Sequence, residues 1–249
     1  MVALLGLLDA QGHMALGGLA RELCVSEATV RRDVATLAAQ GLLERTHGGA
    51  RPNRGNRELP VRLRDGRNQL VKARIATAAA AEIPPGKHAI ALTGGTTTAE
   101  VVRALANRND LTMITNSLSV GMLAADQGQS RVLIAGGVLR PNSLELVGQL
   151  AEATLRLVNI GTAMVGADGV SAAGGLTTHD ETEARTNHTM IERAQRVVAV
   201  VDSSKVGTIT LARMADLGEI DMLITDAGVD PTELEKIRAA GVEVQLVPQ

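Results

Sequence analysis

Residues 15–49, ALGGLARELCVSEATVRRDVATLAAQGLLERTHGG, decide how this chain is read. Leu16, Leu19, Ala20 and Leu23 recur at helical spacing, so the segment opens as a short amphipathic helix. Cys24-Val25 makes a turn, in which Cys24 is expected as a small buried hydrophobe. Ser26 is placed to cap a second helix, because its hydroxyl can accept from a backbone N–H two or three residues on. Glu27 then puts a negative charge in the positively polarised first turn. This helix is expected to reach about Gln40, with Ala28, Val34, Leu37 and Ala38 inward and Thr29, Arg31, Arg32 and Asp33 outward. Gly41 suits its end. Leu42–Thr46 reads as extended, and His47-Gly48-Gly49 as a turn.

Two short helices with hydroxyls and charge at the start of the second describe a helix-turn-helix. The second helix fits the major groove of B-DNA, about 12 Å wide, and its first turns reach base edges. The extended pair after it suits a wing on phosphate or in the minor groove. The DNA-contact candidates are Ser26, Glu27, Thr29, Arg31 and Arg32 on the helix, with Arg45 and His47 on the wing. The bland alternative is a helical hairpin with a solvated arginine face and an ordinary turn histidine.

The stretch VSEATVRRDVATLAAQGLLERTHGGA resembles the N-terminal domain of DeoR-type bacterial transcription regulators. Both the V-S-x-x-T-V-R-R-D core and the R-T-H-G-G-A end stand intact. The resemblance implies a winged helix-turn-helix that binds double-stranded operator DNA as a homo-dimer or tetramer. It also implies more residues ahead of the first helix than Met1-Val2, so the N-terminus is expected to be trimmed.

The 249 residues suffice for two domains. Net charge is −2, which argues against coating nucleic acid along the whole surface. The balance is uneven: residues 1–74 carry 12 Lys and Arg against 7 Asp and Glu, and the remainder 13 against 20. A basic end on an acidic body suits a protein that presents one end to DNA. The lone Cys24 excludes an intramolecular disulfide and a cysteine-rich zinc site. MVALLGLLDAQGH is apolar but lacks a basic region and a cleavage site, so it reads as the first helix of the DNA-binding domain. No run has transmembrane length, and a cytoplasmic protein without membrane partners is expected. There is no Phe, Tyr or Trp, where a chain of this length ordinarily holds on the order of twenty. That deficit reads as depletion by selection or design. The core must be aliphatic, and aromatic stacking on bases or sugars is excluded.

Residues 51–57, RPNRGNR, are basic and rich in Pro, Gly and Asn, and open a linker taken as 51–67 between a DNA-binding domain at 1–50 and a second domain at 68–249. A helix is expected over about Asn68–Ala81. β-branched runs then alternate with amphipathic helical ones. Strands are expected at Ala89–Leu92, Leu111–Thr115, Arg131–Ala135, Thr162–Val165, Val197–Val201, Met222–Thr225 and Val242–Val247. Helices are expected at Ala99–Ala106, Ser119–Ala125, Gln149–Leu157, Glu181–Ala194 and Pro231–Ala239. This alternation predicts an α/β domain with a mainly parallel sheet covered on both faces.

In such sheets ligands bind beyond the carboxyl ends of the strands. There the chain places Thr93-Gly94-Gly95-Thr96-Thr97-Thr98, then Asn116 and Ser117, Gly137, Asp168, and Lys205 after Asp202. Glycines that permit close approach and free N–H groups at a helix start make an anion site. It is neither a P-loop nor a dinucleotide fingerprint. The set suits a small phosphorylated polyol, with backbone N–H groups and Lys205 on phosphate and Asp168 and Asn116 on hydroxyls. Taken singly, each piece is also a tight turn or a solvated charge.

LTGGTTTAEV, TNSLSV, AGGVLRPNSLELVG, VGADGVSAAGGLTT, HDETEA and VVDSSKVG resemble the DeoR-type effector domain. Its fold is similar to ribose-5-phosphate isomerase and the CoA transferases, and the resemblance implies a sugar-phosphate effector that alters DNA affinity. Thr93-Gly94 stands where the commoner family loop has Asp-Ser, and Val206 where an aromatic often follows the lysine. The isomerase motif lacks its first Asp, and the register of its catalytic Glu is lost after Gly174-Gly175. Glu183 can approach the pocket from its helix start, or serve as a cap. Enzymatic isomerisation with an appended DNA-binding domain is the alternative function, and a folded scaffold without either activity a third. No catalytic residue, cofactor or metal is expected: His179, Asp180 and Glu183 lack metal-ligand spacing. His13 and His88 read as loop residues, and His188 as helix surface.

Overall fold

The computed structural model describes residues 1–39, 41–52, 58–64, 68–128 and 130–249. They divide into two compact units, Met1–Arg67 and Asn68–Gln249. No helix among the described residues is long and apolar enough to cross a membrane.

The first unit runs α1 (Val2–Gln11), β1 (Met14–Ala15), α2 (Leu16–Glu22), α3 (Glu27–Ala39), β2 (Leu43–Thr46), β3 (Gly49–Pro52) and α4 (Val61–Arg64). Val30, Val34 and Leu37 form the inward stripe of α3 and pack with Leu4 and Leu8 of α1 and Leu19 of α2. Ala28, expected inward, is exposed. At 100° per residue it lies about 200° around the helix from Val30. Cys24 is exposed as well, at φ 54°. It is the left-handed corner that ends α2, with Cys24 N–H donating to Arg21 O (3.2 Å) and Val25 N–H to Ala20 O (3.1 Å). Gly41, at φ 69°, ends α3 through the same pair of bonds, to Ala38 and Leu37. Gln40 lies outside the described residues.

Strand β3 sits between β1 and β2, antiparallel to both. The β2–β3 turn is made by His47 and Gly48, the latter at φ 80°. Arg51 and Pro52, assigned to the linker from composition, complete β3 instead. Arg54 and Arg57 lie outside the described residues. The helix α4 interrupts the expected linker, where Leu59 and Leu63 pack on the unit's core.

The second unit opens with α5 (Gln69–Ala81) and builds one seven-stranded sheet. Its parts are β4 (His88–Leu92), α6 (Thr96–Ala104), β5 (Leu111–Thr115), α7 (Leu118–Asp126), β6 (Arg131–Ile134), β7 (Val138–Arg140), β8 (Glu145–Val147), α8 (Gln149–Arg156), β9 (Ile160–Val165), β10 (Gly169–Ser171), β11 (Gly175–Thr178), α9 (Glu181–Glu192), β12 (Ala194–Val200), β13 (Ala212–Ala215), β14 (Met222–Asp226), α10 (Pro231–Ala239) and β15 (Glu243–Val247). The order is β15-β14-β12-β9-β4-β5-β6, every neighbouring pair parallel.

The central strands of this sheet are buried on both faces, so their apolar residues run consecutively rather than at alternate positions. Along β12 and the residue after it, Val197, Ala199 and Val201 face the cluster with α8, α9 and α10, while Val198 and Val200 face that with α5, α6 and α7. Leu, Ile, Val, Met and Ala fill both layers.

From β4 the chain winds outward through β5 and β6, then returns to the other side of β4 with β9. The β4/β9 boundary is therefore a topological switch point, the place where sheets of this kind bind ligands. Two antiparallel pieces stand outside the alternation expected from periodicity: the β7–β8 hairpin and the sheet β10-β11-β13. Each strand in them has only three or four residues, too short for a period to register. His88, expected in a loop, begins β4 and its Nε2 lies 3.0 Å from Thr162 Oγ1. Burial, then the Arg108 charge, holds that imidazole below its usual pKa. His188, expected on a helix surface, lies partly exposed on α9, with Nδ1 2.9 Å from Met214 O.

Candidate functional site

On α3, Thr29, Arg31 and Arg32 are exposed, and so are Arg45 and His47 on the wing. Ser26 Oγ accepts from Thr29 N–H at 3.2 Å and lies 2.9 Å from Thr29 Oγ1, so the serine caps the helix. Glu27 leans on α2: a Cβ at Gly17 would lie 2.7 Å from Glu27 Oε1. Asp33, expected outward, is half-buried with Oδ2 3.6 Å from the amine of Met1. Wing residues Glu44 and Arg51 face each other across β2 and β3 and form an ion pair. Arg31 and Arg32 on α3 and Arg45 on the wing are thus exposed cations, and Thr29 and His47 are exposed as well.

The second site lies at the switch point. Thr93 N–H donates to Met164 O (3.3 Å) and Gly166 N–H to Thr93 Oγ1 (3.0 Å), which locks the loop after β4 to the loop after β9. Gly95 precedes α6 at φ 128°, ψ 162°, a conformation essentially restricted to glycine. Having no side chain, it supplies no side-chain cap to the first N–H groups of α6. Thr96, Thr97 and Thr98, expected ahead of the helix, form its first turn, and Thr98 Oγ1 donates to Gly95 O at 2.9 Å.

Around this loop stands a buried polar network. Asn116 Nδ2 donates to Asn187 Oδ1 (2.9 Å), and Asn187 Nδ2 to Glu145 Oε2 (3.3 Å). Glu145 Oε1 accepts from the Gly94 N–H. Glu183 accepts from Thr178 Oγ1 (2.5 Å) and from Arg140 (3.0 Å). Thr178 Oγ1 is also 3.3 Å from Asp168 Oδ2, and Lys205 Nζ is 3.8 Å from Asp168 Oδ1. Asn116, Glu145, Asp168, Glu183 and Asn187 are all buried, and Asn116 Oδ1 meets no donor among the described residues.

Burial, followed by the neighbouring Glu183 carboxyl, pushes the Glu145 carboxyl well above the usual carboxylate range, against the Gly94 and Asn187 donors. Burial also resists ionisation of Asp180, but the Glu183 amide, Arg140 and the Thr182 amide outweigh it and hold that carboxyl low. Asp180 caps α9 and pairs with Arg140 at 3.2 Å. His179 Nε2 lies 4.0 Å from Asp168 Oδ2, while Asp180 and Glu183 share Arg140.

Of the residues singled out from sequence, Thr93–Thr98, Asn116, Asp168, Glu183 and Lys205 come together at one sheet edge. Ser117 is engaged as the cap of α7, accepting from Val120 N–H at 3.4 Å. Gly137 serves the hairpin, where a Cβ would lie 2.8 Å from Val147 O. Glu145, Arg140, Thr178 and Asn187 were not singled out. Two signals were available: a Glu inside the apolar run SLELVG, and Glu183 with Asn187 one helical turn apart on α9.

Two family models cover the chain, a DeoR-like helix-turn-helix domain over residues 2–55 and a DeoR C-terminal sensor domain over 67–227. The HTH-type transcriptional regulator GlpR of Haloferax volcanii is 35% identical over 237 residues, 95% of this chain and 92% of that protein. The glycerol-3-phosphate regulon repressor of Escherichia coli K12 is 31% identical over 243 residues, 96% and 95% of the two chains. Among solved structures, ribose 5-phosphate isomerase A of Methanocaldococcus jannaschii aligns over 56% of this chain and 55% of its own, with TM-score 0.43 and 21% identity.

Proposed function

The chain belongs to the DeoR family of DNA-binding transcription regulators, and on that premise we propose that it represses a sugar or polyol catabolic operon and is released by a phosphorylated sugar or polyol. One observation carries the effector half: the α6 start, without a side-chain cap, and the Thr93–Gly95 loop share the β4/β9 switch point with Lys205 and Asp168. Backbone N–H groups and the ammonium suit a phosphoryl group, while Asp168 and the unpartnered Asn116 Oδ1 suit hydroxyls. A homo-oligomer, acting in the cytoplasm where its operator is, sets two α3 helices on two half-sites. Arg31, Arg32, Thr29, Arg45 and His47 contact the DNA. Effector binding then favours an arrangement in which the helices no longer match, by as much as its affinity for the two states differs.

The ligand is bound without turnover in this reading. Glu145 and Glu183 are both engaged by protein donors, so neither stands as a free base. Ribose 5-phosphate remaining unchanged by NMR supports this, and its conversion would favour the isomerase.

A dye-based thermal shift against paired esters and parent polyols, glycerol 3-phosphate with glycerol among them, tests the effector assignment. Ligand at a hundred times Kd stabilises by about 2.7 kcal/mol. A shift with an ester and not its parent supports the assignment, and equal shifts with both overturn the phosphate requirement.

A further inference from the structure

The loop whose amides suit a phosphoryl group already holds an acid. Glu145 Oε1 accepts from the Gly94 N–H, and a Cβ at Gly94 would lie 2.5 Å from that same oxygen. The acid comes from β8, far away in sequence, and is buried against Asn187 on its other oxygen. The hairpin that carries it is tied down at either side of Glu145: Leu118 N–H donates to Leu144 O (2.9 Å) and Leu146 N–H to Asn116 O (2.6 Å). Leu144, immediately before it, has φ 57°, a left-handed conformation that leucine rarely adopts. Such a residue persists only where its surroundings over-determine it. Here those surroundings include the Glu145 contacts.

We propose that Glu145 is a built-in occupant of the effector's phosphate subsite: its carboxyl holds the Gly94 amide until a phosphoryl oxygen takes it, and the β7–β8 hairpin yields to let the acid out. This rests on the effector reading of the Thr93–Thr98 loop. The carboxyl's raised pKa agrees with the geometry, since an acid that keeps its proton sits beside Glu183 at lower electrostatic cost. Affinity for effector is then lowered by the fraction of molecules in which Glu145 holds the amide.

The test titrates inorganic phosphate into the 15N-labelled full chain and follows the Gly94 amide. Glu145→Ala removes the occupant, and Glu145→Asp shortens it beyond reach of Gly94. Both are expected to bind phosphate about tenfold more tightly than the parent protein, the worth of one lost competing hydrogen bond. If Glu145→Ala does not fold, Glu145→Asp decides. Glu145→Gln keeps an oxygen facing Gly94, so tightening there as large as in Glu145→Ala would overturn the contact as the cause. Unchanged or weaker binding in Glu145→Ala and Glu145→Asp, with the Gly94 amide still responding, overturns the occupant role and leaves the effector site standing. A Gly94 amide that phosphate moves in no variant overturns both.

Discussion

Gly94 and Glu145 meet across 51 residues of sequence, the backbone N–H of one donating to the carboxyl of the other inside the second unit. The approach depends on glycine, because a Cβ at position 94 would lie 2.5 Å from Glu145 Oε1 and 2.6 Å from its Cγ. Gly94→Ala must therefore push a buried side chain out of place. Overpacking of this kind costs about 1–3 kcal/mol. Denaturant unfolding followed by circular dichroism should show that loss, and wild-type stability in this variant would mean the contact is looser than described.

The same carboxyl sets a dependence on pH. Its folded pKa is raised, so between the unfolded glutamate value and the folded one the native state binds more protons than the unfolded state. Its contribution to stability is complete below the unfolded pKa and is lost as pH rises through the folded one. Glu145→Gln removes this loss. The variant should gain on the parent protein as pH rises from about 4.5, by no more than about 1.4 kcal/mol per pH unit. A melting-temperature series in buffers from acid to mildly alkaline reads it, and parallel curves would refute the proton assignment.

Operator binding should depend on the exposed arginines of α3. Arg31→Ala and Arg32→Ala are each expected to weaken binding by about 1–3 kcal/mol if they reach base edges. If they reach phosphate, each should lower the salt slope by about 1. Fluorescence anisotropy with labelled operator at several salt concentrations separates the two. Undiminished affinity in the double variant would remove α3 from the interface.

Lys205 stands 3.8 Å from Asp168 and is partly exposed. Lys205→Ala should retain operator affinity within about twofold and lose release by a phosphate ester, because only the ligand's charge partner is removed. Retained release would move the phosphate subsite elsewhere.

Periodicity alone made much of the architecture legible. Val30, Val34 and Leu37 mark a helix face, and the apolar runs at β4, β5, β9, β12 and β14 mark strands buried on both sides. The helix Pro231–Ala239 was readable to the residue, since Asp230 caps it and Pro231 begins it. The errors also have particular causes. Hydrophobicity points Ala28 and Cys24 inward, yet helix phase turns one outward and a left-handed chain corner exposes the other. Glu183 reads from sequence as an acid that approaches the pocket or caps its helix, but its link to Arg140 spans 43 residues and has no local signal.

What the sequence determined by itself is local: which segments are helix or strand, where glycine must turn the chain, and which motifs belong to a DNA-binding regulator with a phosphate-suited loop. These follow from backbone and side-chain preferences within a few residues of one another. Which side chains meet at the switch point was decided by the tertiary structure. Only the winding of the parallel sheet brings Gly94, Asn116, Glu145, Asp168 and Glu183 to one edge. Burial there, out of water, is what raises the Glu145 pKa, and hydrogen bonds through Asn187 and Thr178 tie these positions together.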